Sequence, residues 1–141
     1  MTEPTDFDLA DPVRYEEEEK YLVHGVHEIR QILQALIDRR ALVTANAMPR
    51  NHAFPTSLIS VDEDEDMVLI DGSANEAINR NVEEASHLTC VSRLDRVHVQ
   101  FRLQSLQRME VDGQTTFLAP LPESVLRLQR REFYRLQVPV T

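Results

Sequence analysis

Arg130, Arg131 and Arg135, with Phe133 and Tyr134 among them, form the stretch whose residue types and spacing best suit a defined chemistry. A guanidinium is planar and permanently charged. It donates two parallel hydrogen bonds to a phosphate or a guanine edge, and it stacks on flat rings. Three of them beside two aromatic side chains fit a planar, anionic nucleotide. The same string also fits a solvated helix face or a salt-bridged surface, and the residue types alone leave both readings open.

Charge narrows the choice of ligand. Residues 127–135 hold Arg127, Arg130, Arg131 and Arg135 against Glu132, a local +3, which leaves −12 for the rest of a chain whose net charge is −9. So acidic a body argues against a general binder of nucleic-acid polymers and against an anionic membrane. A small basic patch on it suits a compact anion. Other chemistry finds little support. The histidines, His24, His27, His52, His87 and His98, are scattered, and no Gly-rich phosphate loop, G-x-S-x-G or H-E-x-x-H occurs. The lone Cys90 allows no internal disulfide or Cys-rich zinc site and is expected to be a buried small apolar residue. The aspartates of Asp62–Asp66 invite a calcium reading, but a loop of EF-hand type starting there would put Met67 where Gly is needed and Ser73 where Glu is needed. We therefore expect a non-enzyme with no metal and no resident cofactor.

The 141 residues, 42% of them hydrophobic, suffice for one core. Residues 1–20 are rich in Asp and Glu, include Pro4 and Pro12, and read as a flexible acidic arm. Leu22, Val26, Ile29, Leu33, Leu36 and Ile37 then recur at helical spacing and predict an amphipathic helix from about His24 to Arg40. Strands are expected over 41–45, 54–61 and 67–70, the last two as a hairpin around the acidic tip, followed by a short helix over 75–84. Strand 87–92 and the cleanly alternating Val97–Leu103 come next, with Asp95 and Arg96 as their turn. Asp112-Gly113 marks another hairpin. Pro120 and Pro122 end the pairing, and 123–129 read as a short helical connector into the arginines. The expected fold is mainly β with one packed helix, a small antiparallel split β-barrel.

Arg131-x-x-x-Arg135, with Arg130 in front, resembles the opening motif of a PilZ domain, a bacterial receptor for cyclic di-GMP. The wider chain resembles the N-terminal part of YcgR-type flagellar brake proteins over roughly residues 20–139. The resemblance rests on Ile29-Arg30-Gln31-Ile32-Leu33, Thr56–Val61, Asn75–Arg80, Val97–Phe101 and, most specifically, Leu121–Arg135. It implies a split-barrel front domain, with the arginine stretch as hinge into a following PilZ barrel. It implies that Arg130, Arg131 and Arg135 bind cyclic di-GMP, and that flagellar motor proteins are partners. The fold would also tolerate flavin, and the front domain could be an interaction module whose arginines are structural.

A PilZ site needs a later Asp/Asn-x-Ser-x-x-Gly stretch, and none follows Arg135 before Thr141; Asp71-Gly72-Ser73 imitates its start, but Glu76 replaces the glycine. The chain thus reads as part of a longer protein, ending at the start of a truncated PilZ β-barrel. The expected organisation is an arm (1–20), a YcgR-like domain (21–122), and a connector with the start of the PilZ domain (123–141). The N-terminus lacks the pattern of a signal peptide, and no apolar run approaches the ~20 residues of a membrane span. A cytoplasmic protein without membrane insertion is expected, located at the flagellar basal body if the resemblance holds.

Overall fold

The structure, a computed structural model, describes residues 19–129. After a 3-10 turn at Glu19–Tyr21 come β1 (Leu22–Val23), α1 (Val26–Asp38), β2 (Val43–Met48), β3 (His52–Thr56), β4 (Leu58–Asp62) and β5 (Met67–Asp71). These are followed by α2 (Glu76–Glu84), β6 (His87–Leu94), β7 (Val97–Leu103), β8 (Gln107–Val111), β9 (Gln114–Pro120) and β10 (Val125–Gln129). Every strand pair is antiparallel. The ladders form a six-stranded sheet, β1-β10-β7-β6-β2-β3, and a four-stranded one, β4-β5-β9-β8. The expected class holds: mainly β with a packed helix, its antiparallel sheets not closed into a barrel.

The two sheets share one apolar interior. Val43, Leu88, Val99 and Phe101 enter it from the large sheet, Val68, Ile70 and Phe117 from the small one, and Ile29, Leu33 and Leu36 from α1. Where an apolar run changes sheet, the backbone must break its ladder. The run 54–61, expected as one stretch, divides at Ser57. Thr56 pairs with Val43 in one sheet, and Leu58 pairs with Ile70 in the other. The freed polar groups find local partners: Asp71 N–H donates to the Ser57 carbonyl at 3.0 Å, and the Thr56 hydroxyl donates to the Asp71 carbonyl at 2.7 Å.

One expectation is corrected. Residues 125–129 form strand β10, not a helical connector. Pairing with β1 on one side and β7 on the other outweighs the helix propensity of Leu, Arg and Gln. In β7, the polar set opposite Val99 and Phe101 does not face water. His98 is 4% and Gln100 1% exposed, and they lie in register with the fully buried Leu128 and Leu126. The strand is covered on both faces.

Turns follow their residues closely. Asp95-Arg96 and Asp112-Gly113 each have positive φ at both positions, as a two-residue hairpin requires. The acidic tip is built on Asp62, whose carboxylate accepts the N–H groups of Asp64 at 2.9 Å and Glu65 at 3.3 Å. Helix α1 ends without glycine. Arg40 adopts φ 51° while its N–H donates to the Ile37 carbonyl and that of Ala41 donates to the Leu36 carbonyl, a Schellman closure. A side chain in this left-handed conformation is disfavoured relative to glycine. Arg40→Gly is therefore expected to stabilise the fold by roughly 0.5–1 kcal/mol. Urea denaturation with an unchanged or lower midpoint would contradict the assignment.

Candidate functional site

Arg130, Arg131 and Arg135 lie outside the described residues; the strand that leads to them does not. Val125, Leu126 and Leu128 are fully buried; Val125 and Leu126 are paired on both edges, and the ladder with β7 continues alone to Gln129. Strand alternation puts Leu126 and Leu128 on the outer face of the large sheet, against Tyr21 and Leu22. Arg127 takes the opposite face, in register with Val99, and its guanidinium stands 3.5 Å from the Glu28 carboxylate on α1. Within the +3 stretch this arginine has an ion-pair partner in the fold.

The histidines do not converge on a catalytic constellation. His24 and His27 stand at the start of α1, and His52 lies on β3. His87 opens β6, with Nδ1 3.1 Å from the Ser86 hydroxyl, and burial followed by the nearby Arg102 charge lowers its pKa. His98 Nε2 and Gln100 Oε1 are 3.0 Å apart in the sheet. Among the described residues, no three His, Cys, Asp or Glu side chains are grouped to hold a metal ion. Cys90 is fully buried, as expected, and burial pushes its thiol pKa far up, away from the reactive thiolate.

The densest polar cluster was not legible in the sequence, because its members lie far apart in the chain. Arg108 on β8 grips Glu76 on α2 with both terminal nitrogens at 2.7 Å, and Glu83 stands 3.4 Å away. The guanidinium holds the Glu76 carboxyl down to about 2. Beside it opens a cavity of 420 Å³ lined by Asp71, Gly72, Ser73, Asn79 and Thr115. Several of its polar groups are engaged with one another. Asn79 accepts the Ser73 N–H at 2.9 Å and returns a bond to the Ser73 carbonyl at 2.8 Å, while the Thr115 hydroxyl donates to Glu110 at 3.0 Å. Gly72 N–H reaches the Thr115 carbonyl at 2.8 Å, and a Cβ on Gly72 would stand 2.5 Å from that oxygen. The Asp71-Gly72-Ser73 imitation of a PilZ sequence is thus a sheet-to-helix junction that needs glycine for close approach.

Residues 21–127 match the family described as "Flagellar regulator YcgR, PilZN domain". The chain belongs to this family. Its relatives include a "Flagellar brake protein YcgR" of Xanthomonas campestris pv. campestris, 48% identical over 89% of this chain and 48% of that protein. Another of the same name, from an Azoarcus species, is 43% identical over all of this chain and 54% of that protein. This chain spans about half the length of those relatives. Among solved structures, the YcgR-N domain of YcgR from Escherichia coli superposes with a TM-score of 0.70 at 17% identity, over 79% of this chain and 97% of that one. YcgR in complex with c-di-GMP from the same organism gives 0.73 at 19% identity, over 81% of this chain and 49% of that one. At such identities the superpositions speak for the fold alone, and it is the fold of the YcgR N-terminal domain.

The Arg108–Glu76 contact makes a prediction about acid. Glu76 is acidified from its ordinary 4.5 to about 2, so its contribution to stability is complete above pH 4.5 and is lost as pH falls toward 2. The Tm difference between the protein and Glu76→Gln should be present at neutral pH and vanish across that window. A difference unchanged down to pH 2, or a Glu76 carboxyl titrating near 4.5 by NMR, would refute it.

Proposed function

We propose that this chain is the N-terminal interaction domain of a cyclic di-GMP-responsive regulator of flagellar motility, joined at Arg130 to the nucleotide-binding hinge of a following PilZ domain. The observation that carries the reading is strand β10. Paired with β7 along its whole length and with β1 at Val125 and Leu126, and anchored by Leu126 and Leu128, it runs without interruption to the residue before Arg130. A hinge that starts from a fixed strand loses less freedom when a ligand orders it. The names of the relatives, flagellar brake proteins, and the c-di-GMP complex of the structural neighbour support the choice of ligand and process.

In this reading Arg131 and Arg135 contact the phosphates and guanines of the dinucleotide, and Arg130 supports them, with Phe133 and Tyr134 offering flat faces nearby. The arm is residues 1–20, the domain body runs from 21 through β10 rather than stopping at 122, and the arginine stretch follows it directly. Ordering the hinge around a dianion fixes the orientation of the two domains and presents a surface to motor proteins in the cytoplasm, at the basal body. No catalytic step is assigned. The chain works as a regulator.

Charge-assisted hydrogen bonds contribute roughly 1.5–3 kcal/mol each. In the full-length protein, Arg131→Ala or Arg135→Ala should therefore weaken cyclic di-GMP binding about tenfold or more by calorimetry. Unchanged affinity in both variants would end the assignment. Residues 1–141 alone should bind the dinucleotide poorly, since a PilZ site draws on the barrel that follows the hinge. Equal affinity for this chain and for the full-length protein would show the site complete before Thr141.

A further inference from the structure

The outer face of the four-stranded sheet turns away from the shared core, and its composition is unusual for a solvated sheet. Register places Asp62, Met67 and Pro120 in one row, Ser60, Leu69, Leu118 and Gln107 in the next, then Asp71, Thr116 and Met109, and finally Gln114 beside Val111. Residues in one row share a face of the sheet. Met109 is 38% and Val111 40% exposed, and Met67, Leu69 and Leu118 are half-buried among them. Helix α1 packs into the core on the other side, and Arg108, which holds α2, alternates to that side as well. The result is a shallow apolar band, with methionine at both ends, on a sheet whose edge strand β8 pairs only with β9.

The rim decides what fits the band. Asp62 and Asp71 stand in the rows themselves, the tip Glu63-Asp64-Glu65 extends one end, and Asp112 lies at the other. No Lys, Arg or His occupies any of these rows among the described residues. An anionic lipid surface or a nucleic acid would meet carboxylates. A second copy packed face to face would set one acidic rim against another.

We propose that this face docks a basic amphipathic segment of a partner protein, its apolar stripe on Met67, Leu69, Leu118 and Met109 and its cations over Asp62, Asp71 and Asp112. Thioether side chains adapt to an irregular apolar stripe, and rim carboxylates raise the rate of encounter with a cationic one. The proposal deepens the reading of this chain as an interaction domain and is independent of nucleotide binding.

A short helical peptide of leucine and lysine, titrated into the isotope-labelled 141-residue chain, is the probe. Amide shifts should be confined to β5, β8, β9 and the 62–66 tip, and binding should weaken as salt rises. Met109→Lys should reduce affinity at least tenfold, whereas Met109→Leu should retain it, and dispersed spectra of both variants would show that they fold. Shifts elsewhere, equal binding of a leucine and glutamate peptide, or indifference to Met109→Lys would overturn the proposal. So would a concentration-dependent dimer abolished by Met109→Lys, which would make a second copy the occupant. Because cyclic di-GMP is absent from the titration, failure here leaves the arginine assignment standing, and failure of that assignment leaves this result intact.

Discussion

Two sheets that share a single apolar interior require the chain to cross between them, and those crossings govern the rest of the architecture. At each one the backbone leaves a ladder, and its polar groups must be satisfied elsewhere. Ser57 and Thr56 do this against Asp71, and Asn79 does it for Ser73 with both ends of its amide. Leu121 N–H does it against the Asp66 carbonyl at 2.8 Å. Asp66 in turn accepts Arg30 of α1 at 3.0 Å, so one aspartate joins the acidic tip, the helix and the last crossing.

That division of labour separates scaffold from function. The engaged carboxylates, amides and hydroxyls occupy the sheet junctions, while the concentrated positive charge is carried to the end of β10. In the reading proposed above, an acidic body keeps polyanions away while a short run of guanidinium groups meets a small dianion, because charges beyond about 8–10 Å are screened at physiological salt. The outer face of the small sheet uses the opposite sign. On the two proposals together, a domain with an acid-rimmed band on one sheet and an arginine-rich stretch following the last strand of the other would address a basic protein and an anionic nucleotide without confusing them.

Much of this was legible in the sequence. Helix α1, the alternation in β7, the Asp112-Gly113 hairpin and the burial of Cys90 follow from periodicity and turn chemistry. The arginine stretch is visible in its local spacing alone, and it lies outside the described residues. Four features needed the third dimension. The end of α1 carries Arg40 where a glycine would have announced it. The run 54–61 holds no breaker at Ser57, since the change of sheet is imposed by pairing partners far away in the chain. Leu126-Arg127-Leu128 suits a helix as well as a strand until β7 supplies a ladder along all three and β1 pairs with Leu126. The Arg108–Glu76–Glu83 cluster joins strand β8 to helix α2 across more than twenty residues of chain, a juxtaposition that no local pattern encodes.

The place of β10 also bears on how the protein is made. It is the last described strand in the chain, yet it fills the second position of the six-stranded sheet, between β1 and β7. On the ribosome, Leu22 must wait for Leu126, and β7 has one edge open until Val125–Gln129 emerge. An unpaired central edge invites wrong partners, and closing so long a loop is slow. Synthesis that pauses before Val125 leaves a nascent chain with its core nearly complete and its sheet still divided, the state in which a chaperone matters most.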